Sequence, residues 1–238
     1  MDLHDLKDRH LSERVFIIGN GPSLRMEDLD MLVHETSFAC NKIYLAFEST
    51  AWRPTYYTVE DHLVAQQSRE EIERLDGVVK FFPHTLVLHG LHFSNALEYP
   101  FIWKDVYPEA PGFSSDADAG LHWGSTVVYT MMQMACYMGA KEIYLLGVDF
   151  SFSIPESCAE SSGKFKVYIC EGERNHFHPD YRKAGEQWHQ PNLDYQKVSF
   201  LAARKFAEEN GIGIYNATRG GNLDVFPRVR LQDLFDRL

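Results

Sequence analysis

Short apolar runs alternate with longer stretches of helical character along the chain, and this alternation predicts its secondary structure. Six runs are short and apolar enough for strands, and they lie at 15–18, 37–40, 56–59, 78–82, 142–147 and 213–216. Four stretches have the length or periodicity of helices, and they lie at 26–32, 62–74, 125–137 and 194–210. Strands that alternate with helices predict an α/β fold with an open, mostly parallel sheet and helices on both faces.

Residues that favour helix ends mark the boundaries of two of these helices. Ser125 is the expected N-cap of the helix at 125–137, and Gly139 is expected to end it. Asp194 and Gly211 are the expected N-cap and C′ residues of the last helix.

Two long segments lack any regular pattern. Residues 84–122 are rich in aromatic side chains, proline and glycine, and residues 151–192 are polar and rich in histidine. Irregular stretches of this length inside a compact chain are usually functional. We therefore expect a single domain over 1–238 that carries two irregular lids.

Polar motifs follow the predicted strands at the points where the strands end. The GNGPSL motif at 19–24 follows the first strand, Asn41 the second and Glu60-Asp61 the third. Asp149 follows the fifth strand, and Asn216 ends the sixth. Ligands of parallel α/β sheets bind beyond the carboxyl ends of the strands. These positions therefore predict one shared binding site.

The GNGPSL motif supplies Gly19, Asn20, Gly21 and Ser23 between a buried strand and a helix start. Glycine lets a ligand approach the backbone closely, and a helix N-terminus favours an anion, so a phosphate or nucleotide is one interpretation. An ordinary tight turn is the other. The motif lacks both the third glycine of GxGxxG and the GK[ST] of a Walker A loop.

Amide and hydroxyl side chains add further candidates. Asn20, Asn41 and Asn216 can each bind a sugar hydroxyl, a base edge or a phosphate, or can serve as turn residues. Ser125 and Thr126 precede the apolar helix, where they can cap it or hold a carboxylate or phosphate of a ligand.

The second irregular segment contains the motif NHFHPDY at 175–181. His176 titrates near neutrality and can serve as a general base toward a hydroxyl. Polar surface is a second interpretation, and a metal site formed by His176, His178, Asp180 and His189 is a third. We predict the general base and no metal site.

Charged side chains elsewhere leave alternatives open. Glu60-Asp61 and Asp149 can hold a divalent ion beside phosphates, although hydrogen bonds to loop amides are the favoured role of Asp149. Five basic side chains are suited to phosphates, although a solvated surface is the favoured interpretation of their scatter. They are Arg182, Lys183, Arg219, Arg228 and Arg230.

Composition argues against two classes of protein. Of 238 residues, 23 are Lys or Arg and 34 are Asp or Glu, and this net charge of −11 argues against a nucleic-acid binder. No apolar run approaches the ~20 residues of a transmembrane segment, and the charged N-terminus does not have the pattern of a secretory signal. We therefore expect a cytoplasmic protein.

The four cysteines fit the same compartment. Cys40 and Cys136 lie in apolar surroundings and are expected to be buried free thiols. Cys158 and Cys170 lie in a polar stretch and are able to pair, but the reduced state is the favoured one in the cytoplasm.

Four motifs taken together resemble those of known proteins. IIGNGPSL at 17–24, CNKIYL at 40–45, EIYLLGVDF at 142–150 and NHF at 175–177 resemble the bacterial sialyltransferases that act on lipooligosaccharide. They also resemble the broader family of 6-hydroxymethylpterin-diphosphokinase-like proteins, which includes motility-associated-factor glycosyltransferases. The similarity covers about 15–217, and the motifs are specific as a set.

The resemblance implies a Rossmann-like fold that binds a CMP-activated nonulosonic acid. By motif match, Asn20 and Asn41 would hold the nucleotide sugar. Ser125 or Thr126 would hold its carboxylate or phosphate, and His176 would be the general base.

Tyrosines stabilise the leaving phosphate in the sialyltransferases, and Tyr168 and Tyr181 are the candidates for this role. The sequence departs from the family pattern at 151–153, where Ser-Phe-Ser stands in place of an expected tyrosine. The acidic pair Glu60-Asp61 resembles the diphosphokinases, in which carboxylates would carry Mg²⁺ for ATP.

Together these features predict a glycosyltransferase of surface-glycan assembly that uses a nucleotide-activated, CMP-linked donor. A Mg²⁺-dependent diphosphokinase that uses ATP is the first alternative, and a non-catalytic nucleotide-binding module is the second. The acceptor would be a glycan or a lipid-linked glycan, which would bring the protein to the inner face of the membrane. A homo-oligomer is compatible with the sequence.

Overall fold

The computed structural model describes residues 1–156, 158–160, 166–169 and 174–236. Its strands are β1 (Arg14–Ile18), β2 (Ser37–Cys40), β3 (Tyr56–Thr58), β4 (Val79–Pro83), β5 (Ala96–Tyr99), β6 (Phe101–Ile102), β7 (Leu121–His122), β8 (Glu142–Leu146), β9 (Ala159–Glu160), β10 (Val167–Ile169), β11 (Gln187–His189) and β12 (Gly213–Asn216). Its α-helices are α1 (Met26–Asp30), α2 (His62–Gln67), α3 (Arg69–Arg74), α4 (Val127–Tyr137) and α5 (Leu193–Glu209).

A seven-stranded parallel sheet forms the centre of the molecule, in the order β12-β8-β1-β2-β3-β4-β5. The chain winds outward from β1 to β5 on one side and places β8 and β12 on the other. The winding direction therefore reverses between β1 and β8, and ligands bind beyond the strand ends at such a switch point. The predicted Rossmann-like open α/β fold is confirmed.

Helices cover both faces of this sheet. On one face Met131 of α4 and Phe200 of α5 pack against Ile17 of β1. On the other face Leu29 of α1 packs in the same cluster as Ile18. Successive residues of a strand point to opposite faces, so β1 contributes to both layers, and each fully buried side chain adds roughly 1.5–3 kcal/mol of stability.

Two helix caps differ from the prediction. Thr126, and not Ser125, caps α4, since its Oγ1 accepts the Val128 N–H at 3.3 Å. Asn192, and not Asp194, caps α5 by accepting the Tyr195 N–H at 3.0 Å. Neighbouring residues of equal capping ability compete at both helix starts, and only the backbone path decides between them.

The predicted C-terminal ends of both helices are confirmed. Gly139 and Gly211 follow α4 and α5 with φ angles of +83° and +63°, a conformation that glycine adopts without strain. The helix predicted at 62–74 is interrupted at the buried Ser68, whose Oγ accepts the Tyr44 hydroxyl at 2.9 Å.

The segment at 84–122 is not wholly irregular. It contributes β5, which pairs with β4 in parallel from Lys80–Ala96 to Pro83–Tyr99, and it also forms a small parallel sheet of β6 and β7. Only Tyr99 of the four β5 residues is fully buried, because β5 is the edge strand. An edge strand carries little of the apolar signal that the prediction relied on.

The segment at 151–192 also contains regular structure. Its described residues include an antiparallel sheet in the order β11-β10-β9, with Tyr168 and Trp188 buried against each other. We call the described residues of this segment the lid. Its strands are only two or three residues long, too short for a search for apolar runs to find.

The expectations for the thiols are met in part. Cys40 and Cys136 are buried free thiols, as predicted. Cys158 is disulfide-bonded, so the reduced state favoured for it is wrong. Its candidate partner Cys170 lies outside the described residues. Among the described helices, none has the length and apolar character needed to cross a bilayer.

Candidate active site

The turns that follow β1 and β8 interlock at the switch point. The N–H of Gly19 donates to the Leu146 carbonyl at 2.8 Å, and the N–H of Gly21 donates to the Gly147 carbonyl at 2.9 Å. A Cβ on Gly19 would lie 2.4 Å from the Gly147 oxygen, and one on Gly21 would lie 1.9 Å from the Asp149 carboxylate. The two glycines are therefore required by contact between neighbouring turns of the protein itself.

The side chains of Asp149 and Ser23 form a hydrogen bond beside this turn. Asp149 Oδ2 accepts the Ser23 hydroxyl at 2.8 Å and the Ser23 N–H at 3.4 Å. Burial raises the pKa of the Asp149 carboxyl, and the hydrogen bonds from Ser23 oppose that shift. This arrangement matches the role favoured for Asp149, a hydrogen bond to a loop amide.

Asn20 and Asn41 each leave one polar atom unused. The Asn20 side-chain N–H donates to the Cys40 carbonyl at 3.1 Å, whereas its Oδ1 is buried and has no partner among the described residues. Asn41 has φ +52°, and its Oδ1 is likewise buried and unpartnered. A buried acceptor without a donor costs free energy, so both oxygens are suited to an N–H or O–H group of a ligand.

The lid places His176 and Tyr181 beside these two asparagines. The N–H of Phe177 donates to the Asn20 carbonyl at 3.0 Å. The His176 ring lies parallel to the Tyr181 ring with 3.7 Å between centroids. Burial raises the pKa of Tyr181, while the Asn41 side chain close to its hydroxyl acts in the opposite direction. Four predicted site residues thus meet where β1 and β2 end.

A buried ion pair holds the lid against β2. Lys42 follows β2 directly and is 3% exposed, and its Nζ lies 2.7 Å from both carboxylate oxygens of Glu186. Burial lowers the pKa of Lys42, and Glu186 counteracts that shift. This contact joins residues 144 positions apart, so the sequence contains no local signal for it.

Asp61, which follows β3, also contacts the lid. We call the contact between the lid and the residues that follow β2 and β3 the seam. Both carboxylate oxygens of Asp61 have hydrogen-bond partners. Oδ1 accepts the Leu63 N–H at 2.8 Å and caps α2, and Oδ2 lies 3.0 Å from Nδ1 of His189 in the lid. Burial acts to raise the pKa of Asp61, but the hydrogen bond from His189 and the charge of that ring lower it overall. The same contact raises the pKa of His189.

Glu60 was singled out from the sequence only as a carboxylate able to hold a divalent ion beside Asp61. Burial raises its pKa to about 7, and the side chain lies close to Thr130 of α4. Its Oε1 and the hydroxyls of Thr58, Tyr99 and Thr130 are buried without a well-formed hydrogen bond among the described residues. An acid directly after an apolar strand is the only local signal that singles it out.

Ser125 and Thr126 lie at the start of α4, whose next turn carries Thr130. Residues four apart share one face of a helix, so Thr126 lies on the same face as Thr130, which is close to Glu60. The Ser125 carbonyl accepts the Gln196 side-chain N–H at 3.0 Å, which ties this turn to α5.

Asn216 has a structural arrangement of its own. It is fully buried, its side-chain N–H donates to the Leu223 carbonyl at 2.9 Å, and its Oδ1 accepts the Thr218 N–H at 2.9 Å. Both amide atoms therefore hold the loop that follows β12. Tyr168 lies within the lid, where its hydroxyl donates to Gln190 at 3.2 Å.

The carboxylates near the site do not fit a magnesium ion. Both oxygens of Asp61 have partners, and Glu60, whose pKa burial raises to about 7, is only partly ionised in neutral solution. In the part of the chain that the structure describes, no group of three or more His, Cys, Asp or Glu side chains is arranged to hold a metal. His178 uses its Nδ1 to accept the Asp180 N–H.

A groove of about 880 Å³ lies away from these residues, along the C-terminal segment beside β8 and β12. Three of its arginines are bound to acids, in the pairs Arg14–Glu35, Arg219–Asp28 and Arg230–Asp233. Arg228 donates to backbone carbonyls. The arginines of the groove therefore have partners within the protein, and Asn20, Asn41 and His176 do not line it.

Comparison with known proteins gives one family and a fold relationship. The model of the family 6-hydroxymethylpterin diphosphokinase MptE-like matches residues 1–155. No curated protein sequence matches the chain significantly.

Two solved structures resemble this one. A MAf glycosyltransferase from Magnetospirillum magneticum AMB-1 superposes with a TM-score of 0.56 and 15% identity, over 98% of this chain and 39% of its own. The sialyltransferase CstII from Campylobacter jejuni, in complex with the substrate analogue cytidine-5′-monophosphate, superposes with a TM-score of 0.49 and 12% identity. This superposition covers 91% of this chain and 84% of the sialyltransferase. At such identities the first likeness concerns the fold alone, and this chain spans well under half of that glycosyltransferase.

The family model covers well over half of the chain, including the GNGPSL turn, Asn41 and the strand at β8. The chain therefore belongs to the 6-hydroxymethylpterin diphosphokinase MptE-like family.

Proposed function

We propose that this protein transfers a sugar from a nucleotide-activated, CMP-linked donor to an acceptor hydroxyl. The observation that carries the proposal is that the buried amide oxygens of Asn20 and Asn41 have no partner among the described residues, where the lid brings the stacked rings of His176 and Tyr181 to the ends of β1 and β2. Two such acceptors after neighbouring parallel strands suit the hydroxyl and amine donors of a nucleoside. A monoanionic donor of this kind also needs no carboxylate-bound metal, in keeping with the occupied Asp61.

His176 would be the general base in this reaction. It takes the proton of the acceptor hydroxyl, whose oxygen forms a bond to the anomeric carbon of the sugar. The bond from that carbon to the phosphate oxygen breaks, and its electron pair leaves with the nucleoside monophosphate. The parallel contact with Tyr181 fixes the plane of the imidazole. A glycan or lipid-linked glycan at the inner face of the membrane is the acceptor we propose.

A diphosphokinase that uses ATP is the second candidate, and membership of the MptE-like family favours it. Such an enzyme would need Asp61 to leave His189 before it could carry a metal. A nucleotide-binding module without catalysis is the third candidate, and it would need no base at position 176.

A ligand panel separates the three candidates. Melting temperatures are measured with CMP, CDP, UDP, GDP, ADP and ATP, each with and without Mg²⁺, because a ligand of the native state raises Tm by mass action. We expect CMP to stabilise the protein without Mg²⁺. Stabilisation by ATP only in the presence of Mg²⁺ would overturn the proposal in favour of the diphosphokinase.

The role of His176 is tested by the release of CMP from a CMP-linked sugar. We expect His176→Ala to lower turnover about 10²–10⁴-fold while CMP binds as before, since a general base contributes that range. His34→Ala removes an exposed imidazole elsewhere and is the matched control. Turnover that survives His176→Ala would remove the base from the mechanism, and no turnover in the wild type would favour the binding module.

Asn41 can be tested without straining the backbone. Asn41→Gly removes the amide and retains a residue that tolerates φ +52°. Asn95→Gly is its matched control, because Asn95 is exposed and has φ +53°. We expect only the first substitution to weaken CMP.

A further inference from the structure

Arg182 carries a positive charge that has no acidic partner among the described residues at the seam between the lid and β2. Its Nε and Nη1 are buried and make no hydrogen bond to the described residues. The guanidinium carbon lies 5.7 Å from the centroid of the Tyr181 ring and 5.5 Å from that of Trp188. The aromatic rings hold the group in place but give its N–H groups no acceptor.

The surroundings of Arg182 already contain an excess of cations. Burial lowers the pKa of Lys42, and the charge of Arg182 lowers it further. Arg182 also acts against the protonation of His189. Of the described acids that contact these cations, Glu186 binds Lys42 and Asp61 binds His189. Positive charges gathered in a partly buried seam are stable only when an anion joins them.

Trp188 supplies a second donor without an acceptor. It is 1% exposed, and its indole N–H has no partner among the described residues. Indole N–H groups usually find an acceptor when they are buried. The Arg182 guanidinium and the Trp188 indole are therefore in contact, and each has N–H groups without an acceptor among the described residues. A ligand that accepts several hydrogen bonds and carries negative charge fits this pair.

We propose that Arg182 and Trp188 bind the phosphate group of the nucleotide-activated donor and of the nucleoside monophosphate that leaves. The inference rests on the proposed function, and it names residues that the sequence assigned to surface or left aside. When the bond from the anomeric carbon to the phosphate oxygen breaks, the electron pair remains on that oxygen. Arg182 neutralises the charge that develops there, while His176 holds the proton of the acceptor.

Tyr181 is poorly placed for the same task. Its side chain is 2% exposed, burial raises its pKa, and its hydroxyl lies against the Asn41 side chain and the Lys42 backbone N–H. Protein groups therefore already lie beside this hydroxyl, whereas Nε and Nη1 of Arg182 have no partner among the described residues. The neighbouring guanidinium is the group that remains available for a phosphate.

The test compares a ligand that has the phosphate with one that lacks it. Affinities for CMP and for cytidine are measured by titration calorimetry on the wild type, Arg182→Met and Trp188→Phe. Arg182→Met keeps an apolar stem between the rings, and Trp188→Phe keeps an aromatic ring without the N–H. Lys183→Met is the matched control, because it removes an equal charge at the adjacent, exposed position.

We expect Arg182→Met to weaken CMP about 10- to 100-fold, the range for hydrogen bonds to a charged group, and to leave cytidine unchanged. Trp188→Phe should weaken CMP by a smaller factor, and Lys183→Met should change it less than about threefold, as expected of an exposed charge. Equal losses for CMP and cytidine would show that Arg182 only supports the fold. Unchanged CMP affinity in Arg182→Met would overturn the proposal.

A wild type that binds neither CMP nor cytidine would contradict the proposed function. In that case, the change in melting temperature with inorganic diphosphate tests whether Arg182 and Trp188 form an anion site. Stabilisation of the wild type by diphosphate that is lost in Arg182→Met would uphold the site with a different phosphorylated ligand. Equal responses of the two proteins to diphosphate, or none in either, would overturn the site as well.

Discussion

The two halves of the predicted binding edge differ in what their polar groups do. At the turns after β1 and β8, Gly21 and Ser23 are fully engaged with Gly147 and Asp149. At the seam between β2 and the lid, Asn41, Arg182 and Trp188 have buried polar atoms without partners in the described part of the chain. Glycines after a strand show only that something approaches closely, and here that neighbour is the protein itself. Unpaired buried groups are the better sign of a ligand.

The largest effect is expected from Gly21→Ala. Its Cβ would lie 1.9 Å from the Asp149 carboxylate and 2.8 Å from the Gly147 carbonyl, so the two turns would have to separate. We expect no folded protein by near-ultraviolet circular dichroism. Gly77→Ala is the control, because its Cβ meets nothing within 4 Å and only the φ of +70° costs about 1–2 kcal/mol. Equal stability of the two variants would contradict the interlocked turns.

The next largest effect is expected at the ion pair of the seam. Lys42→Met leaves the half-buried Glu186 carboxylate without its partner, and breaking such a pair costs about 3–5 kcal/mol. The free energy of unfolding in urea measures this loss. The double variant Lys42→Met/Glu186→Leu should recover much of it, since no lone charge remains. A single variant as stable as the wild type would mean that the lid is not held to β2 by this contact.

A smaller effect, dependent on pH, is expected at Glu60. Its pKa is raised from 4.5 to about 7, so between these values the native state keeps a proton that the unfolded state has lost. Stability therefore falls as pH rises through this window. Glu60→Gln cannot titrate, so it avoids the cost of a buried charge at pH 8. At that pH its Tm should exceed that of the wild type by about 2–4 °C for each kcal/mol gained in the free energy of unfolding. Identical pH profiles of Tm would contradict the buried carboxyl.

The smallest effect is expected from Ser23→Ala. It removes the hydrogen bond to Asp149 and should cost about 1 kcal/mol in stability, with no change in the affinity for CMP. Titration calorimetry checks the second part. A tenfold loss of CMP affinity would place the ligand against Ser23 and Asp149 and would remove the difference between the two halves of the edge.

Local patterns explain how much of the fold was predictable. The strands at 37–40 and 213–216 have the predicted bounds, and at 37–40 the polar residues Thr36 and Asn41 on either side define them sharply. β5 was missed because an edge strand shows little burial. The caps Thr126 and Asn192 were missed by one and two positions, since adjacent residues can form the same bond.

The site was predictable only where strand ends determine it. Asn20 and Asn41 follow neighbouring parallel strands, and this alone places them together. The lid reaches them through contacts between distant residues, such as Lys42 with Glu186. The environment of Arg182 likewise depends on how the lid lies on the sheet. No local pattern distinguishes that arginine from the basic residues that remain on the surface.

Nuclear magnetic resonance of the tryptophan side chains tests the central claim most directly. The protein has four tryptophans, and Trp188→Phe identifies the indole N–H signal of Trp188. Trp52 is an internal reference, because it is buried and its N–H donates to Ser37 at 3.2 Å. We expect CMP to shift the Trp188 signal and leave that of Trp52 in place. Bound CMP that leaves the Trp188 signal unmoved would contradict a ligand site at the seam.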